Sequence, residues 1–205
     1  MIELYAAGTA NGQRGAIACE ESGLPYRLNK IDLFKGEQRT SEFLARNPMG
    51  QIPVMVDPDG PGGKPLTLSQ SGAILLYLAE KSGKLIPKDP YVHAKTFEWL
   101  FTACTDISVT SGAIFQLTTV AKEKVPSNIE HFENRLLRYF RVCDSHLKGK
   151  DYLVGELTVA DVALFPVTNS RKPLIDKAGD LPHLTRWMGT MGARPAIQRA
   201  LKAFA

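Results

Sequence analysis

Apolar and polar positions alternate or recur in two different ways along this chain. Residues 2–5 and 54–57 read as short strands, and 26–33 and 65–68 as two more, because β-branched, aromatic and aliphatic residues cluster there between Gly/Pro punctuation. Between them the period changes to the helical one. Ala16, Ile17, Ala18 and Cys19 mark a core-facing stripe over residues 14–22, closed by Gly23 as a C-terminal glycine. Ser41–Leu44 reads as a short helix, and 70–81 as a longer one with Gly83 just beyond it. Strand, helix and strand at this spacing predict a parallel βαβ unit, and the Gly/Pro-rich turn at 58–64 predicts a hairpin after it. The order β-α-β-α-β-β-α is that of a thioredoxin-like α/β domain.

After Lys84–Pro90, read as a linker bounded by Pro87 and Pro90, no strand signal remains. Residues 91–121 and 129–147 carry helical periodicity, with Phe97, Leu100, Phe101 and Cys104 as the expected buried stripe of the first and Phe132, Leu136, Tyr139, Phe140 and Cys143 of the second. Thr158 and Asp161 form an S/T-x-x-D/E box at the start of a further helix, in which Pro166 predicts a kink. Helices at about 181–192 and 195–204 complete an all-helical domain, with Trp187 in its core. The domain reading is therefore 1–83, a linker at 84–90, and 91–205.

Composition narrows the function classes. The 205 residues carry a net charge of +4. Residues 1–82 hold 8 basic against 9 acidic side chains and residues 83–205 hold 17 against 12, without a dense basic run, so nucleic acid is not an expected partner. No apolar run is long enough for a membrane span, and the start Met1-Ile2-Glu3-Leu4 lacks the features of an export signal, which makes a cytoplasmic location the expectation. Cys19, Cys104 and Cys143 have no metal-ligand spacing and read as reduced thiols; no metal is expected.

The chemistry concentrates in 47–78. An extended backbone beside Ile52-Pro53 can pair with a peptide as an added strand does. The N–H groups opening the helix at Ser69-Gln70-Ser71 lack intrahelical partners, and the helix dipole favours a carboxylate there. Each piece also has an ordinary use: Pro53 as a simple trans proline, Ser69 as an N-cap. The ordered set N-P-x-G-x-I-P-V, a turn, then L-x-Q-S-G-A-I-x-x-Y-L resembles the glutathione-binding half of the glutathione transferase superfamily. The Thr158–Asp161 box is similar to that family's buried capping motif, so the resemblance spans nearly the whole chain. It implies glutathione as co-substrate, a cis Pro53, pairing of Ile52 (with Gln51 beside it) to the cysteinyl part, and Gln70 and Ser71 at the γ-glutamyl end. It also implies a homodimer in which one subunit's N-terminal domain meets its partner's helices.

A thiol becomes a nucleophile as its thiolate, so a sulfur hydrogen-bond donor is needed. Candidates are Tyr5, Thr9 and Asn11. Tyr5 is apolar-flanked in a strand, where a structural role competes. The beta class places a cysteine where Ala10 stands, and its second-domain histidine falls at Ser108, so that mechanism does not fit. The start I-x-L-Y-x-A-x-T-x-N-G, together with D-L-x-K-G-x-Q at 32–38, resembles the bacterial nu class. That likeness implies disulfide reduction without a catalytic protein cysteine: Thr9 and Asn11 on the glutathione sulfur, Gln38 at the glycyl end, and Arg135 or Arg138, the latter preferred, reaching glutathione from the partner subunit. For Thr9 and Asn11 the alternative is a turn leading into an N-cap. Two other functions stay open. One is conjugation of glutathione to electrophiles, with Phe101, Val109, Ile114 and Phe115 lining an acceptor pocket; the other is non-catalytic binding on the same fold.

Overall fold

The computed structural model describes residues 1–205, which fall into two compact units: Met1–Ile86 with Ala193–Ala205, and Pro87–Gly192.

The first unit is a thioredoxin-like α/β domain. Its strands are β1 (Ile2–Ala6), β2 (Tyr26–Lys30), β3 (Val54–Asp57) and β4 (Leu66–Ser69), and its helices α1 (Ala10–Ser22), α2 (Ser41–Arg46) and α3 (Ser71–Ser82). The sheet order is β2-β1-β3-β4. β1 runs parallel to β2, as the crossover α1 demands, and antiparallel to β3, which pairs antiparallel with β4 through the hairpin. Ile2, Leu4, Ala6, Val54 and Met55 are buried, together with Ala16–Cys19 on α1 and Ile74, Leu75, Leu78 and Ala79 on α3. Gly23 ends α1 in the left-handed region at φ 72°, as a C-terminal glycine should.

β2 stops at Lys30, short of the expected Leu33. Beyond it Asp32 turns the chain by accepting the amide hydrogens of Phe34 and Lys35 at 2.9 and 3.1 Å. α1 starts at Ala10, not Arg14, because Thr9 caps it.

Ala193–Ala205 pack with this first unit, whereas the sequence boundary had given everything after residue 90 to the helical domain. Their helix, here α10 (Pro195–Lys202), lies on α1 and buries Ile197 and Ala200. Arg194 chelates Glu21 through Nε at 2.6 Å and a second nitrogen at 2.8 Å, and Arg199 meets Glu20 at 2.7 Å. These are contacts between the two ends of the chain, beyond the reach of a local pattern.

The second unit is all helical: α4 (Pro90–Phe101), α5 (Ser108–Phe115), α6 (Pro126–His146), α7 (Val159–Ser170), α8 (Lys172–Ala178) and α9 (Pro182–Gly192). The expected helix over 91–121 is interrupted by π-helical turns at Thr102–Ile107 and Gln116–Val120. Hydroxyls accompany both: Thr102, Thr105 and Ser108 donate to the carbonyls of Glu98, Phe101 and Ala103, and Thr118 to that of Ile114. Such back-bonding competes with the helix ladder and loosens it. The buried stripe here is Thr96, Trp99, Leu100, Ala103, Ile107 and Ile114. Of the expected stripe Leu100 is buried, whereas Phe101 is 55% exposed and Phe97 and Cys104 are half-buried, so the true stripe shares one position with it and runs beside the rest. Two large aromatic residues pulled the sequence reading toward themselves, while Thr96 and Ala103, small and easily overlooked, hold the core positions.

α7 is the unit's central helix, with Val159–Thr168 all buried. Asp161 accepts from the backbone of Thr158 and Leu153 at 3.0 Å each and from the Trp187 indole at 3.1 Å, so the capping residue also ties α7 to α9. Pro166 stands inside α7, which continues through it to Ser170. α8 was not foreseen; it has Pro173 in its first turn and Ile175 as its one buried residue. No helix is long and apolar enough to cross a membrane.

Candidate functional site

Strand register brings the predicted residues of the first unit to one end of the sheet. Tyr5 pairs with Val54, which sets Ile52-Pro53 beside the end of β1, and Val54 pairs with Ser69, which sets the start of α3 beside both. The three segments that carry Thr9 and Asn11, Ile52 and Pro53, and Gln70 and Ser71 therefore converge.

Each segment has a local cause. Thr9 is the N-cap of α1, accepting the Gly12 amide hydrogen at 3.3 Å. The turn before it admits no side chain at position 12: a Cβ on Gly12 would lie 2.0 Å from the Ala7 carbonyl oxygen. The ordinary N-cap use of Thr9 is thus realised, and because the hydroxyl accepts in that bond, its proton is not consumed by it. Thr9 and Asn11 are both exposed.

The Ile52-Pro53 peptide is cis, as the resemblance implies. Ile52 lies outside the ladder, since β3 begins only at Val54. Asn47 shapes the approach: its amide nitrogen donates to the Gln51 carbonyl at 2.7 Å and its amide oxygen accepts from the Met49 backbone at 3.2 Å. Gly50, at φ 61°, lets this loop close on the turn Glu37–Arg39, for a Cβ there would fall 2.7 Å from an Arg39 guanidinium nitrogen and 3.1 Å from the Gln38 carbonyl oxygen. Gln38 thereby sits near the loop that carries Gln51. Its amide nitrogen reaches the Leu33 carbonyl at 3.4 Å, and its amide oxygen is buried with no partner.

Gln70 precedes α3 with φ 73° and ψ 116°, a conformation that costs a non-glycine residue roughly 1–3 kcal/mol. Its side chain makes no capping bond, so the amides of the first turn of α3 keep their donor capacity. Ser71 is buried, 8% exposed.

Beneath these groups stands Arg14, which the sequence reading used only to mark a helix start. It is 1% exposed, and its guanidinium donates to the Asn11 amide oxygen at 2.9 Å and to the Ser71 hydroxyl at 3.3 Å. The Ser71 hydroxyl in turn reaches the Asn11 amide oxygen at 3.5 Å. The available signal was a single charge on the face of α1 that otherwise carries Ile17 and Ala18. Asn47 was likewise missed as a functional support, although it opens the N-P-x-G motif.

Tyr5 takes a structural role. The Tyr5 hydroxyl donates to Glu3 at 2.7 Å, and the Arg46 guanidinium lies 4.6 Å from its ring centre. Burial and then the Glu3 carboxylate hold the Tyr5 hydroxyl above its ordinary pKa. Burial pushes the thiols of Cys19 and Cys143 up to about 12, which leaves them protonated and inert. In the second unit Ile114 is core, whereas Phe101, Val109 and Phe115 are exposed. Arg135 and Arg138 are exposed on α6. Arg135 donates to the Tyr139 hydroxyl through two nitrogens at 3.2 and 3.1 Å. No group of three or more His, Cys, Asp or Glu side chains is arranged to hold a metal ion.

Comparison with known proteins agrees with this architecture. The family model of the glutathione S-transferase N-terminal domain matches residues 10–81, and that of the C-terminal domain residues 108–195. The disulfide-bond oxidoreductase YfcG of Escherichia coli is 37% identical over 204 residues, covering 98% of this chain and 94% of that protein. YghU, another disulfide-bond oxidoreductase of that organism, is 32% identical, with 97% of this chain and 73% of that one covered. Among solved structures, a Pseudomonas putida glutathione transferase with one glutathione disulfide bound per subunit superposes with a TM-score of 0.92 at 33% identity, covering 98% of this chain and 90% of its own. A Pseudomonas fluorescens family member with two glutathione bound gives 0.91 at 34% identity, covering 98% and 92%. With both halves matched in sequence and in fold, the chain belongs to the glutathione S-transferase family.

Proposed function

We propose that this protein reduces small disulfides at the expense of glutathione, holding the reacting sulfur with Thr9 and Asn11 and using no cysteine of its own. The single observation that carries the reading is the convergence of two side-chain donors, the Thr9 hydroxyl and the Asn11 amide, on the sheet end that also bears Ile52-Pro53 and Ser71, with alanine at position 10. Those donors lower the thiol pKa of a bound glutathione by favouring its charged form. The Ile52 backbone pairs with the cysteinyl residue, the Ser71 hydroxyl and the open amides of α3 take the γ-glutamyl carboxylate, and Gln70 and Gln51 lie along the same edge. Gln38, near the loop that carries Gln51, is the contact proposed for the glycyl end of glutathione. Arg138, exposed on α6, is the preferred contact from a partner subunit in a homodimer, because Arg135 is engaged with Tyr139.

The exchange balances with two equivalents of glutathione. A first thiolate breaks the substrate S–S bond and forms a mixed disulfide, releasing one thiol. A second thiolate resolves that intermediate to glutathione disulfide and the second thiol. Similarity to proteins named disulfide-bond oxidoreductases, and to a glutathione transferase solved with glutathione disulfide, favours this over conjugation.

The test compares glutathione-dependent reduction of hydroxyethyl disulfide with conjugation to chlorodinitrobenzene in one preparation. Fast reduction beside slow conjugation is the expected result. The reverse ratio would establish a conjugating transferase. Negligible rates with glutathione still bound would leave a binding protein.

A further inference from the structure

We infer that Arg14 is the positioning residue that sets the donor polarity of the site, locking the Asn11 amide so that its N–H₂ group, not its oxygen, faces the reacting sulfur. The inference rests on the proposed disulfide-reductase reading and adds a residue to it.

A guanidinium has five N–H donors and no acceptor. Whatever Asn11 atom lies 2.9 Å from it must therefore be the amide oxygen, independent of how the amide might be turned. The Ser71 hydroxyl lies on the same side of that amide, at 3.5 Å from the same oxygen. With its oxygen turned inward, Asn11 has only its two N–H donors left to present at the exposed surface of the turn. A thiolate accepts hydrogen bonds, so this is the polarity that favours the nucleophilic form.

Arg14 also accounts for the hydroxyl of Ser71. That oxygen accepts from the guanidinium at 3.3 Å, and its own proton is directed to the Asn11 amide oxygen at 3.5 Å, so both bonds hold that amide oxygen inward. One buried cation thus ties α1 to α3 and fixes which way the Asn11 amide is turned.

The experiment measures glutathione binding by calorimetry, steady-state disulfide reduction, and the ionisation of bound glutathione from its ultraviolet thiolate band. Four proteins are compared: wild type, Arg14→Met, Arg14→Lys and Asn11→Asp. The expected result for Arg14→Met is a fall in kcat of about tenfold or more, since loss of orientation at a reacting centre is felt steeply. Its glutathione affinity should change less than about threefold, and its bound thiol pKa should rise by roughly one unit. Arg14→Lys, which keeps a donor-only cation, should recover part of the rate. Asn11→Asp should lose rate as Arg14→Met does, because a carboxylate accepts from Arg14 but offers the sulfur no donor.

Three outcomes would overturn the inference: an Arg14→Met protein with an unshifted thiol pKa, one losing affinity and rate in equal measure, or an Asn11→Asp protein that keeps its rate. If Arg14→Met does not fold, Arg14→Lys and Asn11→Asp decide the matter by the same readouts. A wild-type protein without reductase activity would remove the proposed function and this inference together. An active wild type with any of the three outcomes above would remove the inference alone.

Discussion

The Thr9 hydroxyl accepts the Gly12 amide hydrogen at 3.3 Å, which uses one acceptor lone pair and none of its donor capacity. Serving as an N-cap and serving as a sulfur donor are therefore compatible, and neither use excludes the other. Asn11 has no comparable structural task on its outward side. On the proposed reading, Asn11→Ala should lower kcat for hydroxyethyl disulfide about tenfold or more while glutathione affinity changes less than threefold; equal losses in both would make Asn11 a binding residue only. Cysteine is the complementary residue-scale test. The Cys19 and Cys143 thiols are pushed up to about 12 by burial, so Cys104 is the one accessible enough to compete as a nucleophile. Cys104→Ala should retain reduction within about twofold, and a loss beyond tenfold would put a protein thiol back into the mechanism.

Among the elements, α3 does two jobs that its pattern shows only in part. Its apolar stripe, Ile74, Leu75, Leu78 and Ala79, fills the core, while its start and end carry polar tasks. At the end, Lys81 meets the buried Asp57 carboxylate of β3 at 2.7 Å, and the Tyr77 hydroxyl donates to the same carboxylate at 2.5 Å. Burial alone would raise the Asp57 pKa, but the bonds from Lys81 and Tyr77 outweigh it and hold the group below the usual carboxylate range. A carboxyl whose pKa is depressed by folding adds stability that is fully present above its unfolded value, about 3.9. That stability is lost as pH falls from there through the folded value. Asp57→Asn should therefore cost about 2 kcal/mol at neutral pH, and the gap to wild type should narrow below about pH 4. Urea unfolding at pH 7 and at pH 3.5 checks both statements; a pH-independent gap would assign the loss to packing.

For the whole molecule, the proposed homodimer has the clearest consequence. Phe101 on α4 and Val109 and Phe115 on α5 are exposed in the single chain, as side chains covered by a partner subunit would be. Light scattering should give about twice the 22.5 kDa of one chain. Arg138→Ala should weaken glutathione binding about tenfold without changing that mass, as expected when one charge-assisted contact is lost. A fully active monomer of 22.5 kDa would exclude both the dimer and the contribution of Arg138 from a partner.

The strands, the hairpin, the capping box and the helical second half could all be read from local pattern, because period, turn chemistry and capping act between residues close in sequence. The convergence around Ile52-Pro53 and Gln70-Ser71 was legible only through motifs that resemble a family, because the strand register that brings those segments together is a long-range property. Local pattern was blind to what distant segments do to one another. It put the buried stripe of α4 beside its true place, since burial there is decided by the helices packed against it. It gave the last helix to the wrong unit, since Arg194, Arg199, Glu20 and Glu21 meet only once the chain has folded. It passed over Arg14, because a buried charge has meaning only with its partners: Asn11 is three residues away, but Ser71 is brought alongside by the sheet register alone. Sequence by itself determined which side chains could do the chemistry; tertiary structure decided which atoms of them face outward.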